Sequence, residues 1–364
     1  MSNRRDVLKQ FAALASTITS TALLQSAGNR AKGQGSARPK IKMGQIGVGH
    51  AHASKLAVYR ASSDYEVVGI VEADATLRAK AEADPIYQGL PWLTQEQLLS
   101  TRGVRAVLVE TQVRNLLSTA EACIAAGKNV HLDKPAGESL SQYRKLLETA
   151  AQKKLLVQMG YMYRYNPAVV LLRECLRRGW LGDPFEVHAV MSKVIAPDAR
   201  AGLAEYPGGT MFELGCHVID LVVDILGAPD KVTPYSRHSS TVKDSLQDNM
   251  LAVFEYPRCT ATVRSTGLEV EGFARRQLTV CGSKGTLHIQ PLDEPSVRLA
   301  LSEPHGDYKR GYQDVTFPKF TRYVGDAADM ARIIRIEKLI DFSYEHDLDV
   351  QTAVLQASGV SVDG

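Results

Sequence analysis

The fold is indicated by one short stretch, Ile41-Lys42-Met43-Gly44-Gln45-Ile46-Gly47-Val48-Gly49. Its apolar residues are typical of a buried strand, and its last two glycines allow a tight turn into a helix, expected over 50–60. In such a unit the backbone can approach a pyrophosphate that binds at the helix amino terminus. The third glycine of the nucleotide-binding fingerprint is missing, because His52 stands in its place. A tight turn without any nucleotide explains this motif alone equally well.

Outward from this stretch, strands and helices alternate. Strand patterns at 66–71, 104–109, 129–132 and 155–159 alternate with helical patterns at 74–83, 116–126 and 139–154. This alternation is typical of a doubly wound parallel sheet with crossover helices. We therefore predict an α/β Rossmann domain over residues 41–162.

An acidic residue adds to the nucleotide prediction. Glu72 ends the second predicted strand, about twenty residues beyond the glycines, where an acid can bind a ribose 2′-hydroxyl. A carboxylate there repels a 2′-phosphate, so NAD is predicted in preference to NADP. Arg78 on the following helix can weaken that preference, but we expect it to face solvent.

From residue 163 onward the pattern becomes α+β. A helix begins at Asn166-Pro167 and ends before Gly179, and strands dominate residues 231–317. Consecutive strands with short turns are typical of an antiparallel sheet. The second predicted domain, 163–364, is therefore an α+β substrate domain with a large, open antiparallel sheet and a final helix over about 348–356. The open sheet is expected to associate subunits into dimers or tetramers.

A helix expected over 211–226 is apolar nearly all round, apart from one narrow polar stripe. Glu213, His217 and Asp220 lie on this stripe, and Asp224 continues it. On a buried helix such a stripe can place a general base in a cleft. Alternatively, the stripe is a solvated face, Glu213 is the capping-box partner of Thr210, or the stripe holds a metal ion. No further ligand is evident, so we expect no metal.

A lysine lies at the ligand-binding edge of the predicted parallel sheet. Asp133-Lys134-Pro135 directly follows the strand at 129–132. The carboxyl ends of parallel strands are where such sheets bind ligands. Lys134 can therefore hydrogen-bond a substrate hydroxyl and favour its alkoxide. The alternative is a surface lysine in a loop that the proline terminates.

The composition excludes several classes of protein. The chain has 364 residues and a net charge of +3, and no run of Lys and Arg exceeds two residues, so no footprint for nucleic acid is present. Five scattered cysteines without C-x-x-C spacing argue against a disulfide scaffold and a cysteine zinc site. One bridge between Cys259 and Cys281 on neighbouring strands is conceivable, but we expect free thiols.

Residues 1–35 are interpreted as an export signal. A basic head with Arg4-Arg5 precedes a modestly apolar stretch, 11–24, and a small, polar tail. This order is typical of a signal peptide, and the paired arginines resemble a twin-arginine signal. We therefore predict an exported, periplasmic protein with no membrane association after export. If the segment is an amphipathic helix that stays attached, the protein is cytoplasmic.

Three further motifs occur in order along the chain. They are Val130-His131-Leu132-Asp133-Lys134-Pro135, Gly160-Tyr161-Met162-Tyr163-Arg164-Tyr165-Asn166-Pro167 and Gly208-Gly209-Thr210-Met211-Phe212-Glu213-Leu214-Gly215-Cys216-His217-Val218-Ile219-Asp220. Together they resemble the glucose–fructose oxidoreductase / inositol dehydrogenase (Gfo/Idh/MocA) family. The similarity spans residue 41 to about residue 359.

The resemblance implies roles for individual residues. Lys134 contacts nicotinamide and substrate, His217 accepts the substrate proton, and Glu213 orients His217. The implied cofactor contacts are Gly47, Gly49, His50, Ala51, Glu72, Thr111, Gln112, Asp133 and Lys134, and the implied substrate contacts are Tyr163, Arg164 and Asp220. The chain departs from the family pattern at His52 for glycine, at Glu213 for aspartate, and at Glu110-Thr111-Gln112, where Thr-Pro is common.

We therefore predict an NAD-dependent oxidoreductase that acts on a CH–OH group of a small sugar or cyclitol. Free NAD is scarce outside the cytoplasm, and the twin-arginine route carries folded, cofactor-loaded proteins. A tightly bound, internally recycled cofactor is therefore expected. Two alternatives stay open: a redox-neutral NAD-dependent lyase or glycosidase on the same fold, and a non-catalytic sugar-binding module, which the presence of Lys134 and His217 disfavours.

Overall fold

The computed structural model describes residues 38–362, which fold around two β-sheets. The predicted export signal, residues 1–35, lies outside the described residues. Within the described range, no helix combines the length and the apolar character that crossing a membrane requires.

The first sheet has five parallel strands, which confirms the predicted Rossmann architecture. The strands are β1 Ile41–Ile46, β2 Tyr65–Val71, β3 Val104–Val109, β4 Asn129–Leu132 and β5 Val157–Met159. Their order is β2-β1-β3-β4-β5, so the strand order reverses at β1. The carboxyl ends of β1 and β3 therefore flank the crevice in which such sheets bind ligands.

Both faces of this sheet are covered. Val107 and Val109 belong to one apolar core, whereas the alternate residues Ala106 and Leu108 belong to a second. Burial on both faces explains why the parallel strands read as continuous apolar runs. The helices of this half are α1 Leu56–Ala61, α2 Ala75–Glu82, α3 Gln95–Ser100, α4 Val113–Ala125 and α5 Leu140–Gln152.

Two helices of the first half differ from prediction. The helix expected over 50–60 is shorter, because a 3-10 turn, Ala53–Lys55, precedes α1. The sequence pattern missed α3, although Thr94 and Gln97 form a reciprocal capping box at its start.

The second sheet has eight strands in the order β13-β12-β11-β10-β6-β9-β8-β7. They are β6 Pro184–Ser192, β7 Lys231–Arg237, β8 Asn249–Glu255, β9 Thr260–Thr266, β10 Gln277–Gly282, β11 Gly285–Ile289, β12 Val297–Leu301 and β13 Gly311–Val315. Every neighbouring pair is antiparallel except β6 and β9, which run parallel. The predicted antiparallel sheet is therefore confirmed as mostly antiparallel.

The position of β6 also bears on whether Cys259 and Cys281 can form a disulfide bond. Because β6 lies between β9 and β10, Cys259 and Cys281 do not lie on neighbouring strands. All five cysteines are free thiols.

The helix predicted over 211–226 is irregular at its start. Two helices precede it, α6 Pro167–Arg177 and α7 Pro197–Ala204. A π-helical turn, Met211–Gly215, then leads into α8 Cys216–Leu226. A π turn is wider than an α turn, so the side chains before and after it lose the regular i, i+4 alignment. The side chain of Thr210 makes no capping hydrogen bond, so the capping-box alternative is wrong.

The carboxyl-terminal part of the chain returns to the first half. In α9, Val324–Ile334, Met330 and Ala331 share an apolar core with Leu56, and the carbonyl of Ala327 accepts a hydrogen bond of 2.7 Å from the Tyr65 hydroxyl. The predicted continuous domain 163–364 is corrected accordingly, because α9 packs with the Rossmann half. The last helix, α10 Tyr344–Ala357, begins earlier than predicted, with Ser343 as its cap.

Candidate active site

The glycine turn after β1 is shaped for close approach. Gly47 has a φ of +93°, and a Cβ atom there would lie 2.4 Å from the backbone nitrogen of Thr111. Glycine alone satisfies both conditions. A Cβ on Gly49 would lie 3.0 Å from the side chain of Leu77 and 3.3 Å from that of Gln112. The turn is therefore held against the loop that follows β3, at the reversal of strand order.

Glu72 lies beside this turn at the carboxyl end of β2. Its carboxylate accepts hydrogen bonds from the backbone N–H groups of Val48 and Asp74, both at 2.9 Å. Together with Gly47, Thr111 and Gln112, it lines a cavity of about 580 Å³. A glycine cradle beside an acid that can bind ribose hydroxyls fits a dinucleotide.

Arg78 is exposed to solvent, as predicted, and also borders the rim of this cavity together with Glu72 and Trp92. Its Nε lies 2.8 Å from Oε1 of Glu82, and its guanidinium carbon lies 5.2 Å from the centroid of the Trp92 ring. Arg78 is therefore paired with Glu82 at the edge of the nucleotide cavity.

A second cavity, of about 300 Å³, connects the glycine turn to the other half of the molecule. Gly49, His50 and Ala51 line one side, and Lys193 and Glu213 line the other. Arg114 on α4 and Glu205 after α7 form an ion pair at its wall. The two predicted halves of the site therefore face one shared space.

Behind the glycine turn, three side chains converge on Asp133. His50 Nδ1 lies 2.8 Å from Asp133 Oδ2, His52 Nδ1 lies 3.2 Å from Oδ1, and Lys55 Nζ lies 3.1 Å from Oδ2. Burial acts to raise the pKa of Asp133, but His50, Lys55 and His52 outweigh it and hold that pKa well below its usual range. The Asp133 side chain is fully buried and anchors the glycine turn through these three contacts, whereas its predicted part in binding the cofactor stays a prediction.

Lys55 is a central residue that the sequence reasoning missed. Besides Asp133, its ammonium lies 3.0 Å from Oε1 of Glu110 and 3.0 Å from Nε2 of His131. Burial lowers its pKa, yet the charges of Asp133 and Glu110 outweigh burial and raise it. A lysine within the otherwise small and apolar run 53–59 was the signal available in the sequence.

Neither candidate metal site among the described residues is suited to a cation. His50, His52 and Asp133 present ligand-type atoms within 4.8 Å of one another. The Lys55 ammonium is bound to the same carboxylate, however, so a metal cation there would be repelled. The polar stripe on α8 does not converge, because Glu213 and Asp220 pair with different cations.

Lys134 is held in the wall between the two halves. Its ammonium donates hydrogen bonds to the backbone carbonyl of Glu213 at 2.8 Å and to Oε1 of Glu213 at 3.0 Å. Burial acts to lower the pKa of Lys134, but the Glu213 carboxylate outweighs it and the pKa is raised. Lys134 is therefore a protonated hydrogen-bond donor at neutral pH.

His217, on α8, is the second reactive side chain. It is buried, and its Nδ1 has no hydrogen-bond partner among residues 38–362. Its ring centroid lies 5.2 Å from that of His52 and 6.0 Å from that of Tyr163. Burial, followed by the charge of Lys134, lowers the pKa of His217 well below its usual value. The imidazole is therefore neutral and able to accept a proton.

The predicted role of Glu213 as the residue that orients His217 is wrong. Its carboxylate contacts Lys134, and the π-helical turn separates it from the regular spacing to His217. Glu213 therefore positions the lysine and keeps it charged, while His217 is positioned by the aromatic rings around it.

The predicted substrate contacts lie in two different environments. Tyr163 lies beside His217, and its hydroxyl donates to Oδ1 of Asp293 at 3.2 Å. Arg164 and Asp220, by contrast, are buried and form an ion pair inside the protein. Arg164 Nη2 donates to Oδ1 of Asp220 and to Oδ1 of Asp347, both at 2.6 Å. Their predicted contacts with a polyol are therefore corrected to a structural ion network.

Sequence reasoning also missed the basic residues on the second sheet. Lys193 directly follows β6 and lines the shared cavity, and Arg276 precedes β10. The charges of both Lys134 and Arg276 act to lower the pKa of Lys193, after burial, which is the largest cause. Neither residue belongs to a short motif, so only the folded sheet brings them to the site.

Taken together, a dinucleotide cradle, a buried protonated lysine and a neutral histidine define a two-domain, nucleotide-dependent oxidoreductase. The chain belongs to the Gfo/Idh/MocA family. Residues 41–161 match the oxidoreductase family NAD-binding Rossmann fold, and residues 169–288 match the GFO/IDH/MocA C-terminal domain. The resemblance predicted from the three sequence motifs is thereby confirmed.

Several known dehydrogenases are similar in sequence. Trans-1,2-dihydrobenzene-1,2-diol dehydrogenase of Sus scrofa is 27% identical over 229 residues, which cover 62% of this chain and 67% of that protein. Inositol 2-dehydrogenase 1 of Saccharopolyspora erythraea is 26% identical over 305 residues, which cover 79% of this chain and 86% of that protein.

Solved structures share the fold. UDP-N-acetylglucosamine 3-dehydrogenase GnnA from Acidithiobacillus ferrooxidans aligns with a TM-score of 0.72 at 19% identity and covers 89% of this chain and 98% of that one. A probable oxidoreductase, yhhX, aligns with a TM-score of 0.72 at 20% identity and covers 88% of this chain and 97% of that one.

Proposed function

We propose that this protein is an NAD-dependent oxidoreductase that acts on a secondary alcohol of a sugar or cyclitol. One observation carries the proposal: Lys134 and His217, from opposite halves of the chain, are both buried against the histidines that follow the glycine turn. His50 Nε2 lies 3.0 Å from the Lys134 carbonyl oxygen, and the His217 ring lies 5.2 Å from that of His52. The similarity to inositol 2-dehydrogenase 1 and to GnnA supports a polyhydroxylated substrate.

Each protein group has a defined part in this reaction. The nicotinamide, when bound, supplies the hydride-accepting chemistry. His217 accepts the hydroxyl proton on its neutral imidazole, whose Nδ1 has no competing partner among the described residues. Lys134 donates a hydrogen bond to the substrate oxygen as negative charge develops there. Glu213 holds the Lys134 ammonium in place and keeps it charged.

Glu72 supports NAD over NADP in this proposal. Its carboxylate lines the nucleotide cavity and would lie close to a 2′-phosphate, which it would repel. Arg78 borders the same cavity but is paired with Glu82. We expect NAD to bind more tightly than NADP. Glu72→Gln should reduce this difference in affinity. Glu82→Gln should remove the partner of Arg78 and increase the affinity for NADP.

The proposal is tested by mass spectrometry of the purified protein for bound nucleotide, followed by turnover assays on polyols, sugars and glycosides. Lys134→Met and His217→Asn are each expected to reduce turnover by roughly 10²–10⁴-fold. Lys145→Met, at an exposed lysine on α5, is the matched control. Either variant with full turnover would refute the assigned role. A glycosidic bond broken with no net redox change would identify the redox-neutral lyase or glycosidase instead.

We also propose export by the twin-arginine route and a tightly held, internally recycled cofactor. The support is the Arg4-Arg5 signal in the sequence, together with the scarcity of free NAD outside the cytoplasm. Cell fractionation locates the protein, and an Arg4-Arg5 to Lys-Lys variant should remain in the cytoplasm. Nucleotide that washes out on dilution would contradict the tight-binding part of the proposal.

The open face of the eight-stranded sheet supports a homo-oligomer. Tyr235 and Tyr312, which are exposed on β7 and β13, pair in register with Leu251 and Ala300. Met250 and Ala252, on either side of Leu251, are buried, so these four residues share the opposite, outer face. We propose that this outer face, on which polar residues such as Arg264 lie in register with Leu251, joins subunits into a dimer or tetramer, and light scattering of Tyr235→Lys against the wild type tests it.

A further inference from the structure

The part of the site around Lys193 carries an excess of positive charge. Lys134 is balanced by Glu213, and Arg276 and Arg322 share the single carboxylate of Asp293. Lys193, next to them, adds a further cation. Among these residues, four cations face two carboxylates, so two positive charges are uncompensated.

Lys193 is the cation without a partner. Its ammonium forms no hydrogen bond or ion pair within 4.0 Å with any residue in the range 38–362, although it is half-buried and lines the cavity shared with Glu213. The Glu213 carboxylate acts to raise the pKa of Lys193, but it is held by the Lys134 ammonium, and burial and Lys134 outweigh it. The rest of this cluster is tightly paired: Arg276 Nη1 lies 3.0 Å from Oδ2 of Asp293. Burying a charge without a counterion is unfavourable, so neutralising the Lys193 ammonium requires an anion from outside the protein.

The position of Lys193 sets it beside the reacting groups. Arg276 Nε donates to the carbonyl of Ser192, the residue before Lys193, at 3.2 Å. Asp293, the partner of Arg276, accepts from the hydroxyl of Tyr163, whose ring lies 6.0 Å from that of His217. Lys193 therefore lies next to the Arg276, Asp293 and Tyr163 cluster that reaches His217, and it lines the shared cavity and not the nucleotide cavity.

From this charge arrangement we infer that the substrate is an acidic sugar, whose carboxylate or phosphate group binds Lys193 while a hydroxyl group faces Lys134 and His217. The inference rests on the proposed function and names its substrate class. It explains why the site holds an unpaired ammonium close to a second ammonium, an arrangement that costs free energy in the empty protein and is relieved when an anion binds. The oxidised nicotinamide ring, when bound, would add a further positive charge to the site and favour an anionic substrate more strongly.

The test compares matched sugars on the full-length holoenzyme. The probes are D-glucose, D-glucuronate and D-glucose 6-phosphate, with the galactose and mannose equivalents, and both equilibrium binding and turnover are measured. At least one acid is expected to bind about ten- to a hundredfold more tightly than its neutral sugar, as for a hydrogen bond to a charged group. The carboxylate and phosphate arms identify which anion is preferred.

Variants then assign the effect to one side chain. Lys193→Gln should remove the preference for the acid by about ten- to a hundredfold and leave neutral sugars and NAD within about twofold. Lys193→Arg should retain most of it. Lys284→Gln, at an exposed lysine of the same sheet, is the matched control and should change nothing.

Two results would overturn the inference. One is a wild-type protein that binds neutral sugars as well as or better than every acid, which would leave the oxidoreductase proposal intact. The other is a Lys193→Gln variant that loses affinity for NAD and for neutral sugars alike, which would assign Lys193 to the cofactor. Absence of any nicotinamide turnover would instead refute the proposed function, and the binding comparison would still decide the role of Lys193.

Discussion

Replacing Asp220 by asparagine removes one carboxylate from the buried network around Arg164. The Arg164 guanidinium donates to Asp220 through Nη2 at 2.6 Å and through Nε at 3.1 Å, and to Asp347 at 2.6 Å. Burial acts to raise the pKa of Asp220, but Arg164 outweighs it and lowers that pKa. Its stabilising contribution is therefore present at neutral pH and is lost as the pH falls through the folded-state pKa.

The expected cost follows from breaking a buried, hydrogen-bonded ion pair. Asp220→Asn should destabilise the protein by about 3–5 kcal/mol, because Arg164 is left buried with one carboxylate. For a chain of this size the melting temperature should fall by roughly 4–7 °C. Asp347→Asn also leaves Arg164 with one carboxylate, but Arg164 makes one hydrogen bond to Asp347 and three to Asp220, so the expected cost is smaller, about 1.5–3 kcal/mol.

The assay is thermal unfolding at pH 7 for both variants, with the KM for the sugar substrate measured beside it. We expect a large loss of stability in Asp220→Asn and a smaller one in Asp347→Asn. An Asp220→Asn protein with unchanged melting temperature and a strongly raised KM would refute the structural assignment and restore Asp220 as a substrate contact.

Two further predictions concern the glycine turn and the interior of α9. Gly47→Ala should weaken dinucleotide binding at least tenfold, because its Cβ would lie 2.4 Å from the Thr111 nitrogen. The control is Gly89→Ala, which is also at positive φ but has no atom within 4 Å of the added Cβ. Equal losses of affinity in both variants would show that backbone strain alone is responsible. Burial raises the pKa of Asp326 from 3.8 to about 7. The wild type should therefore lose stability relative to Asp326→Asn as the pH rises from 4 to 7, by up to about 4 kcal/mol. A difference in melting temperature that does not change with pH would contradict this pKa shift.

The sequence predicts well what is local in this fold. Strand β1 and the glycine turn are read from nine consecutive residues, and the alternation of strands and helices follows from side-chain periodicity. The parallel pairing of β6 with β9 and the return of α9 to the Rossmann half could not be predicted, because both depend on contacts between segments far apart in the chain. The alternation of apolar and polar side chains along a strand does not specify which other strand it will pair with in the sheet.

The candidate site shows the same division. The motifs identified Lys134 and His217, because each lies in a short, ordered run of residues. They assigned the wrong partner to Glu213, because the π-helical turn at Met211–Gly215 leaves no trace in hydrophobic periodicity. Lys55 and Lys193 were missed because a lysine is read from sequence as a surface residue, and only burial against Asp133 or beside Lys134 gives it a role.

The positive charge of the site links the proposed base to the proposed substrate. Lys134 and Arg276 both act, after burial, to lower the pKa of His217, so the resting enzyme holds a neutral but weakly basic imidazole. If an acidic sugar binds at Lys193 as inferred, we expect its negative charge to offset part of this field, raise the pKa of His217 and make it a stronger proton acceptor. A neutral sugar leaves the field unchanged. The same charge excess therefore favours acidic substrates twice, first in binding and then in proton transfer, so discrimination should be larger in kcat/KM than in Kd.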